Sequence, residues 1–298
     1  MSSAPNPDEE PRFVRPETAA DARTLLENGP QSTEIVAGGQ SLMLGLRQGI
    51  ADPSLIVDIS AIPEYSDIVV GNDTVEIGAT TTYAELESHQ LSSTCEALGD
   101  AVSVIGDVQV RNRGTIGGAV SQADPAYDLL PPLLALDASV TIGSTAGKRT
   151  CPLSDFFTGP SSTVLTDAEI VEGVTFDPTV TGTGCYLCQG TVAGGRSTVG
   201  VGVDVTLSSP TTNPTVTRAR VALGAVAPTP VRALGVERVL TDTMLSAATI
   251  QRAADAVGAE IDPVDDVYGT AVYKTELASV LTARAITTAV RRAGGSIE

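Results

Sequence analysis

Two glycine-rich segments hold the residues best suited to grip a ligand, and they lie far apart in the chain. The first runs Ala37-Gly38-Gly39-Gln40-Ser41-Leu42. The second runs Arg113-Gly114-Thr115-Ile116-Gly117-Gly118-Ala119 and is followed by the carboxylates Asp124 and Asp128. Glycines permit positive φ and let a ligand approach the backbone closely. Consecutive amide N–H groups in such loops form anion-binding concavities. Gln40, Ser41 and Thr115 add side-chain donors. One loop of this kind suits one phosphate; two suit a pyrophosphate held between lobes. Asp128 could then accept hydrogen bonds from ribose hydroxyls, as acidic residues do in dinucleotide folds. Taken singly, either loop is equally compatible with a plain turn or bulge.

Other chemistries lack their residues. No GxGxxG follows the first expected strand, and the phosphate-loop pattern GxxxxGK with Ser or Thr is missing. HExxH and GxSxG are also missing, so hydrolysis has no support. The single histidine, His89, falls on a polar helical stretch and is expected to be solvent-exposed, which argues against a histidine-based triad. Cys185 and Cys188 form a CxxC with no second pair, so small half-buried thiols are expected and no metal site. A dinucleotide held without the Rossmann pattern points toward FAD in a two-lobed cradle.

The bulk properties narrow the class. The 298 residues suffice for two or three domains. Acidic residues number 36 against 18 basic, a formal net charge of −18. That surface repels nucleic acid and anionic membranes. Lysine occurs only at 148 and 274, and the acids are spread along the chain. Such a surface suits a high-salt cytoplasm, where screening acts over a few ångströms, and implies a halophilic source. No apolar run reaches the roughly 18 residues that cross a bilayer, and no secretory pattern opens the chain. A cytoplasmic protein with reduced cysteines is expected, with residues 1–10 as a disordered lead-in.

The elements that must position the two loops follow from pattern. Thr18 caps a helix with Ala22, Leu25 and Leu26 on its apolar stripe, ended by Gly29-Pro30. TEIVAGG and SLIVDIS read as strands, which makes a small α/β lobe over about 11–61. DIVVGNDTVEIGATTTY reads as two strands around Gly71-Asn72-Asp73. Thr82 and Glu85 match a capping box before YAELESHQ. CEALGDAVSVIG reads as a helix, and SVTIGS and KRTCPL as strands. These form a mixed second lobe over about 62–178. After a Pro/Thr/Gly-rich break, residues 184–293 form a third unit. There Val199, Val201, Val203, Val205 and Leu207 alternate on one face of a strand. VTRARVALGAVAPTP supplies its partner, and two helices close the chain. The fold class is α+β, with helices on one side of an antiparallel C-terminal sheet.

In order, AGGQSL, LIVDIS, IGATTTYAELE, IGDVQVRNRGTIGGAVSQADPAYDLLPPLLALDA, DFFTGP and ARVALGAVAPTPVRA resemble the FAD-binding medium subunit of molybdenum hydroxylases, the carbon monoxide dehydrogenase and xanthine dehydrogenase family. The likeness spans about Phe13 to Arg291. It implies a two-lobed FAD domain of the vanillyl-alcohol oxidase type and a small C-terminal α+β domain. It implies partners: a large molybdopterin subunit that oxidises substrate and a small subunit with [2Fe–2S] clusters. The medium subunit would relay electrons through FAD to an external acceptor such as NAD or a quinone.

Residue by residue, Ala37 to Ser41, closed by Leu42, match the first pyrophosphate loop, and Thr115 to Ala119 match the second. Asp128 matches the cofactor-contacting carboxylate of ADPxxD, while Asp124 reads as a turn or cap residue. Ile116 is placed near the flavin ring. Arg111 and Arg113 read either as phosphate neutralisers or as structural ion pairs.

One segment departs from the family. Where the family shows Y-x-K-F-x-R-R-x-x-D-F-A-L, this chain has YLCQGTVAGGRSTVGVG, keeping Tyr186 but placing Cys188 at the lysine position. Two further readings stay open on the residues alone: a free-standing flavin oxidoreductase, and a scaffold that has lost FAD.

Overall fold

Thr18 turns the entering chain into the first helix, its Oγ accepting the Asp21 N–H at 3.1 Å. The computed structural model describes residues 11–298, so the expected lead-in, 1–10, lies outside the described residues. The first lobe comprises β1 (Arg12–Val14), α1 (Ala19–Asn28), β2 (Thr33–Val36), α2 (Leu42–Arg47) and β3 (Leu55–Asp58). Its sheet is parallel, in the order β1-β3-β2. Ala22 and Leu26 of α1 pack on Leu55, Val57 and Tyr65. The chain leaves the carboxyl end of β2 directly into Ala37-Gly38-Gly39, the end of a parallel strand where α/β sheets bind ligands. Helix α2 was not expected; Ser41 sits at its N-cap position without a side-chain cap bond.

The second lobe begins with β4 (Ile68–Val70) and β5 (Val75–Gly78), joined by the turn in which Gly71 N–H donates to Thr74 O. The capping box opens α3 (Tyr83–Ser88), with Thr82 Oγ and Glu85 exchanging bonds reciprocally. Then come α4 (Leu91–Thr94), α5 (Glu96–Val104), α6 (Val108–Arg111), α7 (Ile116–Gln122) and α8 (Leu130–Ala135). They are followed by β6 (Ser139–Ser144), β7 (Gly147–Pro152), α9 (Leu153–Phe156), the short pair β8 (Phe157–Gly159) and β9 (Ser162–Thr163), and β10 (Ile170–Phe176). Strands β4-β5-β10-β6-β7 form one antiparallel sheet, and the helices cover it with a core that includes Leu98, Val120, Leu130 and Phe156. His89 is half-buried rather than exposed, because its Nδ1 accepts the Leu91 N–H at 3.1 Å and joins α3 to α4.

One buried carboxylate staples the two lobes. Glu172 of β10 accepts from Arg23 Nε of α1 at 2.7 Å and from Tyr65 Oη at 2.9 Å, with Lys148 Nζ 2.8 Å away. Burial pushes this carboxyl up, but the hydrogen bonds from Lys148, Arg23 and Tyr65 outweigh it and hold it below its ordinary value.

The C-terminal unit is a sheet of β11 (Thr183–Gly190), β12 (Ser197–Leu207), β13 (Thr215–Gly224) and β14 (Val231–Arg232), with β15 (Thr243–Met244) pairing β13. The helices α10 (Leu234–Leu240), α11 (Ala247–Ala256) and α12 (Ala271–Arg292) cover the face that carries Val199, Val201, Val203 and Val205. Helix α10 was not expected. The opposite face of β12 is buried too, against the second lobe. Gly202 lies so close to α8 that a Cβ would sit 2.8 Å from the Pro131 carbonyl carbon. Of the glycines that interrupt the valines, Gly202 thus admits the second lobe, while Gly200 makes room for the Tyr186 ring of β11. Arg292 seals that contact through Asp100, with Nη1–Oδ2 at 2.6 Å and Nη2–Oδ1 at 2.9 Å. Among the described residues no helix is long and apolar enough to cross a membrane.

Candidate functional site

The fold brings the two glycine segments into contact. Gly38 lies against the backbone of Arg113 and Gly114: a Cβ on Gly38 would stand 2.6 Å from the Arg113 carbonyl carbon and closer still to its oxygen. Arg113 Nε points back to the Gly38 carbonyl at 3.4 Å. Gly39 takes φ +75°, which turns the chain toward α2. Among the described residues, the N–H groups of Gly38, Gly39, Gln40, Ser41 and Leu42 have no acceptor. Five successive unpaired donors at the carboxyl end of β2 form a cradle for an anion.

The second segment is built differently from the expectation. It is not a free loop. Gly114 lies just beyond α6, its N–H bonded back to Val110 O at 2.7 Å, and Thr115 caps α7, its Oγ accepting the Gly118 N–H at 3.1 Å. Ile116 N–H donates to Thr81 O at 3.0 Å, Gly117 N–H to Ala79 O at 2.9 Å, and Ala119 N–H to Thr115 O at 3.0 Å. The amides expected to receive phosphate are therefore consumed within the fold. What remains for a ligand is the N–H and the hydroxyl proton of Thr115 and the bare surface of Gly118, which is exposed. A Cβ on Gly118 would meet only Thr115 Oγ. Gly117 has another purpose: its missing side chain admits Ala79, whose Cα would lie 2.8 Å from a Cβ. Ile116 and Ala119 are buried in the second-lobe core.

The hexapeptide Ala123–Asp128 joins three parts of the molecule. Asp124 Oδ1 accepts the Ala126 N–H at 3.0 Å, the expected turn bond, and the carboxylate also holds Arg196 at 2.5 and 2.7 Å. Tyr127 Oη meets Ser41 Oγ of the first glycine loop at 2.8 Å. Asp128 is buried; its Oδ1 accepts from Tyr186 Oη at 2.6 Å and Ser197 Oγ at 2.5 Å, and the Cys188 thiol also hydrogen-bonds the carboxylate. Burial pushes the Asp128 carboxyl up from its ordinary value against those hydroxyl bonds. Tyr186, Arg196 and Ser197 all belong to the hairpin β11–β12, the segment in which the sequence departs from the family. Tyr127, Arg196 and Ser197 had no pattern to mark them, because their partners lie 69 to 86 residues away.

Other candidates resolve simply. Arg111 is structural: Nε pairs with Glu87 at 3.1 Å and Nη1 with Ile105 O at 3.1 Å. Cys185 packs in the C-terminal core while Cys188 packs on the second-lobe core. A separation of three along a strand puts the two thiols on opposite faces, so they do not converge. Among the described residues no group of three or more His, Cys, Asp or Glu side chains is placed to hold a metal.

The comparisons with known proteins agree with this architecture. Residues 9–178 match the family described as the FAD binding domain in molybdopterin dehydrogenase, and residues 193–289 match the CO dehydrogenase flavoprotein C-terminal domain. The carbon monoxide dehydrogenase medium chain of Hydrogenophaga pseudoflava is 33% identical over 286 residues, covering 95% of this chain and 98% of that one. The glyceraldehyde dehydrogenase medium chain of Sulfolobus acidocaldarius is 33% identical, with 92% and 96% covered. The solved structure of carbon monoxide dehydrogenase from Hydrogenophaga pseudoflava superposes with a TM-score of 0.91 at 32% identity, covering 96% of this chain and 99% of that chain. With its interlobe donor cradle and this end-to-end likeness, the chain belongs to the FAD-binding medium subunits of the carbon monoxide dehydrogenase and xanthine dehydrogenase family, oxidoreductase components that bind FAD.

Proposed function

We propose that this chain is the electron-relay subunit of a molybdenum hydroxylase. It takes electrons from [2Fe–2S] clusters of a small partner subunit, while a large molybdopterin subunit oxidises the substrate, and it delivers them to an external acceptor such as NAD or a quinone. FAD, when bound, supplies the redox chemistry; the protein supplies binding and orientation. The observation that carries this reading is the run of unpaired N–H groups from Gly38 to Leu42, pressed against the Arg113–Gly114 backbone of the other lobe.

The residues present fit a dinucleotide pyrophosphate. Gly38, Gly39, Gln40, Ser41 and Leu42 offer backbone donors, with Ala37 leading the chain in from β2, and Ser41 and Thr115 offer hydroxyls. Gly118 leaves its surface bare for close approach, and Gly117 and Ala119 hold α7 in place beneath it. The Asp128 carboxylate is the acceptor offered to a ribose hydroxyl. The relatives are named as medium chains, which supports a subunit role over a free-standing enzyme.

The purified chain, titrated with FAD, should bind it with a dissociation constant in the micromolar range or tighter, read by flavin fluorescence. No binding would overturn the proposal. Within the assembled complex, removing FAD should abolish reduction of the physiological acceptor while sparing reduction of an artificial dye that accepts electrons upstream. Unchanged acceptor reduction would equally overturn it.

The net charge of −18 supports work in a salt-rich cytoplasm. At about 1 M salt the screening length is only about 3 Å, so the unfolding midpoint should rise steadily with KCl. A midpoint that is flat or falls with KCl would count against a halophilic setting.

A further inference from the structure

The side chains of residues 37–42 make one hydrogen bond among the described residues, and it crosses between the lobes: Ser41 Oγ to Tyr127 Oη, 2.8 Å. Tyr127 stands on a braced turn. Asp124, three residues before it, is held by both nitrogens of the Arg196 fork, and Asp128, the next residue, by Tyr186 and Ser197. The Tyr127 ring packs against the second-lobe core. The tyrosine hydroxyl is thus a fixed point, and the other holds on the glycine loop fall on its backbone: Arg113 Nε on the Gly38 carbonyl at 3.4 Å, and the Met43 and Gly45 amides on the Gly39 and Ser41 carbonyls. Gly38 and Gly39 lack side chains, and Gln40 is exposed.

The direction of this bond follows from what the loop must hold. A phosphate oxyanion only accepts hydrogen bonds. If Ser41 donates its single proton to the ligand, its oxygen must accept from Tyr127. Burial pushes the Tyr127 hydroxyl up from its ordinary value, so it keeps its proton and can donate. A donor behind the serine also polarises the serine O–H, which strengthens its bond to an anion.

We propose that Tyr127 is a positioning residue for the phosphate-binding loop, acting through Ser41: its hydroxyl donates to Ser41 Oγ, fixes the loop against the second lobe and aims the Ser41 proton at the FAD pyrophosphate. This rests on the FAD reading above.

The test uses the full-length chain. In its FAD-free form, Tyr127→Phe should speed hydrogen exchange of the Met43 and Gly45 amides, which are bonded to the Gly39 and Ser41 carbonyls of the loop, about three- to tenfold, with the β6–β7 amides unchanged. With FAD added, the same variant should raise the dissociation constant about five- to tenfold, which corresponds to one hydrogen bond of about 1 kcal/mol. Ser41→Ala should speed the same loop exchange. The double variant should bind FAD no more weakly than Ser41→Ala alone, since the two hydroxyls act in series. Should Tyr127→Phe not fold, the loop exchange of Ser41→Ala, which leaves the ring in place, decides the matter. Unchanged exchange there overturns the proposal. So does a Tyr127→Phe dissociation constant within twofold of the parent, or additive effects in the double variant. A parent chain that binds no FAD overturns the functional reading and this proposal together; a parent that binds beside an unaffected Tyr127→Phe overturns this proposal alone.

Discussion

Gly38→Ala is the sharpest perturbation of the site, because one methyl group is asked to occupy space already filled by backbone. The added Cβ would stand 2.6 Å from the Arg113 carbonyl carbon and 3.2 Å from Gly114 Cα. Carbon atoms pack comfortably at about 3.5–4.0 Å, so the loops must part by roughly an ångström. The obstacle is main chain capped onto α7 at Thr115, not a flexible side chain, so it cannot swing aside. Overpacking of this kind costs about 1–3 kcal/mol. For a chain of this size that lowers the melting midpoint by roughly 3–10 °C.

Binding should suffer more than folding. A loop displaced by an ångström misaims at least two amides at phosphate, each worth about 1.5–3 kcal/mol when the acceptor is charged. The FAD dissociation constant should therefore rise at least a hundredfold, measured by flavin fluorescence on protein that circular dichroism shows to be folded. Gly39→Ala is the comparison. Its Cβ would meet only Met43 Cγ at 3.3 Å and Val36 Cγ2 at 3.6 Å, and its φ of +75° carries the left-handed cost of about 1–2 kcal/mol. It should lower stability comparably but weaken FAD by less than about tenfold, because the interlobe contact is kept. If Gly38→Ala binds FAD within threefold of the parent, or if Gly39→Ala is the worse binder, the loop-on-loop account of the site is wrong.

Three further outcomes are expected. Gly118→Val should leave the melting midpoint within about 3 °C, since the site is exposed, yet weaken FAD at least tenfold by covering the bare surface; equal losses in folding and binding would refute the assignment. Asp128→Ala should cost about 1–3 kcal/mol of stability by orphaning the Tyr186 and Ser197 hydroxyls, and should also weaken FAD. A variant that loses stability but binds FAD normally would leave Asp128 a purely internal acceptor. Glu169 is held at about 2 by its hydrogen bonds to Arg149, below its ordinary value, so its contribution is present above about pH 4.5 and is lost as pH falls toward 2. Urea unfolding of Glu169→Gln beside the parent should therefore show a gap at pH 7 that shrinks below about pH 4.5 and closes only near pH 2; a constant gap would remove the ion pair as its cause.

The sequence patterns that survived are those whose physics is local. Thr18 and the Thr82–Glu85 box mark helix starts because capping satisfies amides within three residues. The Val199-to-Val205 alternation marks a strand because its period needs no partner to be seen. The glycine segments declared themselves because few other residues suit such close backbone approach, and their order along the chain matches a family. Family likeness pointed to Asp128 and the first glycine loop as cofactor contacts, which the FAD titrations above test.

What these patterns left open was decided by contacts between distant residues. RGTIGG reads as a donor loop until Thr81 and Ala79 take the Ile116 and Gly117 amides, and those carbonyls come from another part of the lobe. Gly202 reads as an interruption among valines until α8 is laid on it. Ser41, Asp124, Tyr127 and Asp128 carry no periodic signal of their pairing, since Tyr127 meets a residue 86 positions away and Asp124 one 72 away. The chain alone thus determined the capped helices, the alternating strand and the position of the glycine segments, but not α2, α10 or the helical start within RGTIGG, because propensity, capping and side-chain period act within a few residues. Tertiary structure alone decided which amides remain free to bind, because a donor is available only when no distant carbonyl has been folded against it.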